Sequence, residues 1–208
     1  DKKRWEEANA PAHATLSLTG EPLFYPRMSE LLSEFHKRKM STFLVTNGTM
    51  PEALSKLTTL PTQLYVSIQA PNREIYEKVT RPKIPNAWER FQRFLEIFST
   101  LRTRRVFRLT LVKGLNMEDP KGYAELIKKG NPDYVEVKGF VFVGGSRGSK
   151  RGLAYDMMPT KDDILGFAQE LSSASGYMLT DYNKPSKVAL LCRDKNAADS
   201  RIINFEMI

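Results

Sequence analysis

Short runs of β-type residues alternate along the chain with longer stretches of helical periodicity, and this alternation restricts the fold more than any other feature. The strand candidates are residues 14–18, 42–46, 63–68, 105–112 and 134–138. Between them, Met28, Leu31, Leu32 and Phe35 recur at helical spacing behind Pro26, which suits a first-turn position. Asn86 with Glu89 reads as a capping box ahead of a stripe formed by Trp88, Phe91, Phe94, Leu95, Phe98 and Leu101. Asp119-Pro120 opens another helix that Gly130 ends, and Thr160 caps a last one carrying Ile164, Phe167, Ala168 and Leu171. The tail differs: residues 177–180 and 187–192 flank Asp-Tyr-Asn-Lys-Pro-Ser and predict a strand pair joined by a turn. Strand–helix alternation implies a mainly parallel α/β sheet, open or closed into a barrel. In either form the ligand site lies at the carboxyl ends of the strands.

Composition narrows the class. The 208 residues suffice for one domain with a real core, and 41% apolar with 27% charged residues is a globular balance. Cys192 is the sole cysteine, so no intrachain disulfide forms, and its place at the end of an apolar run predicts a buried structural thiol. One thiolate with the distant His13 and His36 does not make a zinc or iron–sulfur site, so no metal ligand is expected in this chain. The longest apolar runs, such as Val188–Cys192, fall far short of the roughly 20 residues that span a bilayer. No secretory signal follows Asp1-Lys2-Lys3-Arg4. These features predict a cytoplasmic protein with no membrane partner, and a chain that begins with Asp reads as a piece of a longer one.

The formal net charge of +8 suggests a polyanionic partner. Between Glu96 and Glu118 there is no acidic residue, while Arg102, Arg104, Arg105, Arg108 and Lys113 fall in that gap. A second acid-free window, 137–155, holds Lys138, Arg147, Lys150 and Arg151 within a run rich in glycine. Glycines let such a backbone approach a phosphate ribbon, and the cations would release counterions on binding. A solvated basic loop is the equally weighted alternative.

The strand ends carry polar groups in succession. Thr19-Gly20-Glu21-Pro22 follows the first strand directly; a glutamate there can accept a hydrogen bond from a ligand ammonium, and glycine frees backbone groups for a ligand carboxylate. Asn47-Gly48 ends the second. Ser67 and Gln69 share a face, as do Arg108 with Thr110 and Glu136 with Lys138. Each pair alone is ordinary strand-end polarity; the recurrence is not.

His-Ala-Thr-Leu-Ser-Leu-Thr-Gly-Glu-Pro (13–22), Phe-Leu-Val-Thr-Asn-Gly (43–48) and Thr-Gln-Leu-Tyr-Val-Ser-Ile (62–68) resemble the radical S-adenosylmethionine (SAM) enzymes of wybutosine biosynthesis, the tRNA 4-demethylwyosine synthases. Further matching segments are Arg81-Pro82, Trp88-Glu89-Arg90-Phe91, 108–114 and 130–139, so the resemblance runs in order from His13 to Leu191. It implies a partial (β/α) barrel of the radical SAM type, occupying residues 1–208 as one core domain that ends in the strand pair 177–192. It also implies a 4Fe-4S cluster held by three cysteines, which cleaves SAM to a 5′-deoxyadenosyl radical, and a second cluster that is associated with the family. Enzymes of this family join a two-carbon unit of pyruvate to N1-methylguanosine-37 of tRNA-Phe, and they are grouped with the carbon–carbon lyases.

By motif, Thr19, Gly20 and Glu21 match the segment that grips the methionine moiety, while Asn47 and Ser67 match further positions around SAM. Gln69 stands where the family pattern has aspartate and keeps hydrogen-bonding capacity without charge. Lys138 is the candidate for a Schiff base with pyruvate, and Arg147, Lys150 and Arg151 are the candidates for RNA contact. The cluster cysteines and the first barrel strand are expected upstream of His13, so this segment alone is expected to be inactive and monomeric, with an electron donor the sequence does not name. The competing readings are a radical enzyme of the activating type and a non-catalytic RNA-binding α/β domain.

Overall fold

The computed structural model describes residues 1–18, 20–148 and 152–205. Seven strands among them form one sheet: β1 (His13–Leu16), β2 (Ser41–Thr46), β3 (Gln63–Ile68), β4 (Arg104–Leu111), β5 (Tyr134–Gly139), β6 (Met178–Asn183) and β7 (Val188–Cys192). Their spatial order is β1-β2-β3-β4-β5-β7-β6. The first five pair in parallel, and the β6–β7 hairpin adds to β5 antiparallel. The helices are α1 (Lys2–Asn9), α2 (Met28–Lys37), α3 (Pro51–Ser55), α4 (Arg73–Thr80), α5 (Ala87–Thr100), α6 (Pro120–Gly130), α7 (Lys161–Ser175) and α8 (Lys195–Asp199). The expected sheet, mainly parallel with a terminal strand pair, is the one observed.

Alternation along the strands sets the two faces. Leu44, Leu64, Val66, Ile68, Phe107, Leu109, Leu111, Val135 and Val137 are buried on one side. They pack with Phe91, Phe94, Leu95 and Phe98 of α5, Tyr123 and Ile127 of α6, and Ile164, Phe167 and Leu171 of α7. Each such side chain contributes about 1.5–3 kcal/mol on burial, so this face holds the domain together. The stripes on α5, α6 and α7 are thus core, as their spacing predicts. On the opposite face a smaller apolar cluster of Val106, Tyr134, Cys192, Ala197 and Ala198 closes the amino-terminal end of β4 and β5 and the carboxyl end of the antiparallel β7 under α8. Cys192 is fully buried there, and burial pushes its thiol pKa up, as befits a structural cysteine.

Local chemistry fixes the helix ends. Asp119 accepts from Gly122 N at 2.9 Å at the start of α6, and Thr160 with Asp163 forms a reciprocal capping box on α7. Asn86 departs from expectation. It precedes α5 in the left-handed region (φ 52°) and makes no side-chain cap, and Glu89 pairs with Arg73 of α4 rather than closing a box. Helices α1, α3, α4 and α8 have no counterpart in the periodicity.

Candidate active site

The strand register arranges the uncovered sheet face in levels. Tyr65, Val106, Tyr134 and Cys192 lie side by side on β3, β4, β5 and β7, forming the apolar floor. One level nearer the carboxyl ends of the parallel strands come Ser67, Arg108, Glu136 and Leu190, with Asp181 of β6 beside Leu190. The next level holds Thr110, Lys138, Val188 and Asn183. The pairs recognised on single strands therefore come together on neighbouring ones.

At the middle level Arg108 Nε donates to Glu136 Oε2 at 2.7 Å, and its guanidinium lies 4.4 Å from the centroid of the Tyr65 ring. Tyr65 Oη donates to Glu136 Oε1 at 3.4 Å and accepts from Gln63 Nε2 at 2.5 Å. Burial, and then the Glu136 charge, push the Tyr65 pKa up to about 12. Burial disfavours the Arg108 charge, but the adjoining Glu136 carboxylate outweighs it and raises the Arg108 pKa. Glu136 is therefore committed to Arg108, and Lys138 is left without an ion-pair or hydrogen-bond partner among the described residues. A cavity of about 330 Å³ opens here, lined by Arg108, Glu136, Lys138, Asp181, Asn183, Ser186, Val188 and Leu190. Such a volume admits a small polar ligand. Sequence reasoning passed over Tyr65, Asp181 and Asn183, although the two-residue spacing of Tyr65 from Ser67 and of Asp181 from Asn183 was the available signal.

The loop after β1 is held by Glu21, which is 7% exposed. Its Oε1 accepts from Leu23 N at 3.1 Å and its Oε2 from Asn47 N at 2.7 Å, which ties this loop to the end of β2. Desolvation raises the Glu21 pKa, and the Asn47 and Leu23 amides and the Thr46 side chain only partly offset it. A carboxylate has about four acceptor sites, so capacity for a ligand ammonium remains. Gly20 is exposed with φ +83°, and Asn47 turns its Oδ1 to Thr49 N at 3.0 Å. Ser67 is half-buried on the open face, and Gln69 follows the end of β3. Thr19 lies outside the described residues.

Asn116 ties the ends of β3 and β4. It is 1% exposed; its Oδ1 accepts from Val112 N at 2.7 Å, and its Nδ2 donates to Gln69 O at 2.8 Å and Thr110 O at 3.0 Å. Its role is to hold the backbone from which Gln69 and Thr110 project.

The acid-free window on β4 does not form a basic surface. Arg104 donates to Gln63 Oε1 and to the Ser200 and Arg201 carbonyls at the end of α8. Arg105 is buried against Asp133 and the Ser99 carbonyl, and Lys113 meets Asp163 at 3.0 Å. With Arg108 on Glu136, only Arg102 of that run stands exposed and unpaired. In the second window Arg147 is exposed, with Nε 3.4 Å from Phe142 O; Lys150 and Arg151 lie outside the described residues.

The metal chemistry of these residues is limited. His13 Nδ1 lies 2.7 Å from Ser41 Oγ, and His36 Nε2 lies 2.8 Å from Thr42 Oγ1, so both rings serve hydroxyls. Among the described residues no three His, Cys, Asp or Glu gather to hold a metal. With Cys192 buried as the sole cysteine, the residues present do not fit a 4Fe-4S cluster. No described helix is long and apolar enough to cross a membrane.

Residues 3–127 match the Radical SAM superfamily. The chain belongs to the radical SAM superfamily. Residues 129–193 match the family described as Wyosine base formation. A tRNA 4-demethylwyosine synthase of Pyrococcus abyssi is 52% identical over 198 residues, 93% of this chain and 57% of that protein. The Schizosaccharomyces pombe synthase is 44% identical over 168 residues, 81% of this chain and 24% of that protein. The chain thus spans little more than half the length of the archaeal relative. Among solved structures, TYW1 with a lysine-pyruvate adduct bound superposes with a TM-score of 0.82 at 33% identity, covering 93% of this chain and 60% of that one. Archaeal TYW1 gives 0.76 at 32% identity, covering 98% of this chain and 63% of that one. Coproporphyrinogen III oxidase of Escherichia coli, at 17% identity and a TM-score of 0.59, shares the fold. The resemblance read from the strand-end motifs holds, and so does the radical SAM fold.

Proposed function

We propose that this chain is the SAM- and substrate-binding body of a tRNA 4-demethylwyosine synthase. The enzyme joins a two-carbon unit of pyruvate to N1-methylguanosine of tRNA-Phe, in the cytoplasm and as a monomer. The observation that carries the reading is an unpaired Lys138 in a charged cavity of about 330 Å³ at the carboxyl ends of the strands. The lysine-pyruvate adduct in the 33%-identical TYW1 structure supports the same chemistry.

In this reading the Lys138 amine forms a bond to the keto carbon of pyruvate, and water leaves as the Schiff base forms. Arg108, held by Glu136 through Nε alone, directs its remaining donors to the pyruvate carboxylate. Asp181, on the same cavity wall, accepts the proton released by the amine. Gly20, Glu21, Asn47, Ser67 and Gln69, together with Thr19, hold SAM; a carboxylate, two amides, two hydroxyls and a free glycine backbone suit its ammonium, carboxylate and ribose hydroxyls. With a cluster ligated by residues other than those described, SAM supplies a 5′-deoxyadenosyl radical. Arg147, Lys150 and Arg151 meet the tRNA backbone.

Reductive trapping tests the assignment. Incubating the 208-residue chain with pyruvate and cyanoborohydride is expected to add one reduced pyruvate to the peptide containing Lys138. An adduct on other lysines, or none, removes Lys138 from the mechanism. A purely RNA-binding domain gives no selective adduct.

A further inference from the structure

The turn between β6 and β7 has no role in the chemistry above, yet it stands at the cavity mouth. Asn183 and Ser186 line that cavity, and Gly139 N at the end of β5 donates to Lys187 O at 3.2 Å. The turn is therefore fixed to the carboxyl end of the strand that carries Lys138. It is also stiff. Asn183 Oδ1 accepts from both the amide (3.0 Å) and the hydroxyl (2.5 Å) of Ser186, Lys187 N donates to Lys184 O at 3.4 Å, and Pro185 fixes its own φ.

This rigid tip carries two cations. Neither Lys184 nor Lys187 has an ion-pair or hydrogen-bond partner for its amine among the described residues. Lys187 adopts φ +51°, a left-handed conformation that favours glycine or asparagine over lysine. The nearby acid, Asp181, already has Arg201 Nε at 4.0 Å.

We propose that the 184–187 turn is a phosphate clamp for the RNA strand, gripping the backbone on either side of the nucleotide whose base enters the cavity. The proposal rests on the tRNA reading given above. A base brought into a pocket leaves its flanking phosphates at the rim, and two ammonium groups tethered to that turn neutralise them with counterion release. Arg147, in the segment that follows β5, belongs to the same end of the sheet.

The test is tRNA binding by fluorescence anisotropy, using an unmodified tRNA-Phe transcript and the 208-residue chain across roughly 50–200 mM salt. The variant Lys184→Gln/Lys187→Asn keeps the turn, because asparagine tolerates the left-handed region. Its thermal midpoint checks the fold. Lys195→Gln, an equal charge change for one site, lies on α8 at the opposite end of the strands. The double variant is expected to bind more weakly, with the slope of log K against log salt reduced by about 1 per lysine, while Lys195→Gln leaves the slope unchanged. A double variant with the unchanged chain's affinity and slope overturns the clamp and leaves the tRNA reading standing. An equal loss per charge removed in Lys195→Gln also overturns it, since the effect is then one of total charge. Failure of the unchanged chain to bind tRNA overturns both.

Discussion

Replacing Asn116 by aspartate changes one buried atom and should have a large, pH-dependent effect. Asn116 Nδ2 donates to the carbonyls of Gln69 (2.8 Å) and Thr110 (3.0 Å), while Oδ1 accepts from Val112 N. In Asn116→Asp the acceptor survives, but an oxygen replaces the donor and faces two carbonyl oxygens in a site that is 1% exposed. Two carbonyls lose their partner at about 1–3 kcal/mol each, and an anion there adds repulsion unless it protonates. The expected loss near neutral pH is therefore about 3–5 kcal/mol, or roughly 6–20 °C in thermal midpoint at about 2–4 °C per kcal/mol for a chain of this size. The new carboxyl has a folded pKa raised above its unfolded value of about 3.9. The variant thus recovers stability as pH falls towards 4, where a protonated carboxyl again donates to one carbonyl, and loses it as pH rises. Asn116→Ala serves as the uncharged control: it is destabilised without that pH dependence. Thermal unfolding followed by circular dichroism between about pH 4 and 8 reads both. A loss under about 1 kcal/mol, or one equal in size at every pH, refutes the assignment of Asn116 as the tie between β3 and β4.

Other substitutions probe the same frame. In Gly48→Ala the new methyl meets the Phe91 ring at 2.8 Å from a backbone at φ +74°, so a loss of about 1–3 kcal/mol is expected in denaturant unfolding. Arg108→Leu strands Glu136 in a site where it is 19% exposed; a cost of about 1–3 kcal/mol is expected, and Arg108→Leu/Glu136→Leu should recover part of it in a double-mutant cycle. Asp163 accepts from the Thr160 backbone and Lys113, which lowers its pKa from 3.8 to about 2. Its stabilising contribution is therefore full above pH 3.8 and disappears as pH falls to about 2. Acid titration of stability should show that component missing in Asp163→Asn.

Elements with one strong period were legible in the sequence, and elements made by tertiary context were not. β3 was read to the residue because Leu64, Val66 and Ile68 alternate with Gln63, Tyr65 and Ser67 on a strand buried on one side. The stripes of α5, α6 and α7 stood out because each turn supplies a buried residue. By contrast, α1 buries nothing, and α3 and α8 span five residues each, too short to display a period. The cations in and just after β4 looked like a basic surface because the partners of Arg105, Arg108 and Lys113 (Asp133, Glu136 and Asp163) come from segments 20 or more positions away in sequence. At the site, Glu21, Asn47, Ser67 and Lys138 were visible as strand-end polarity, whereas the Tyr65–Arg108–Glu136 network exists only once three strands lie in register.

Nucleoside analysis of tRNA tests the proposed activity most directly. A protein carrying these residues together with its cluster-binding segment is incubated anaerobically with SAM, reductant, labelled pyruvate and tRNA-Phe bearing N1-methylguanosine. Disappearance of N1-methylguanosine, with appearance of 4-demethylwyosine carrying two labelled carbons, is the predicted result, and Lys138→Ala should abolish the labelled product. SAM cleavage that leaves the N1-methylguanosine intact would contradict it.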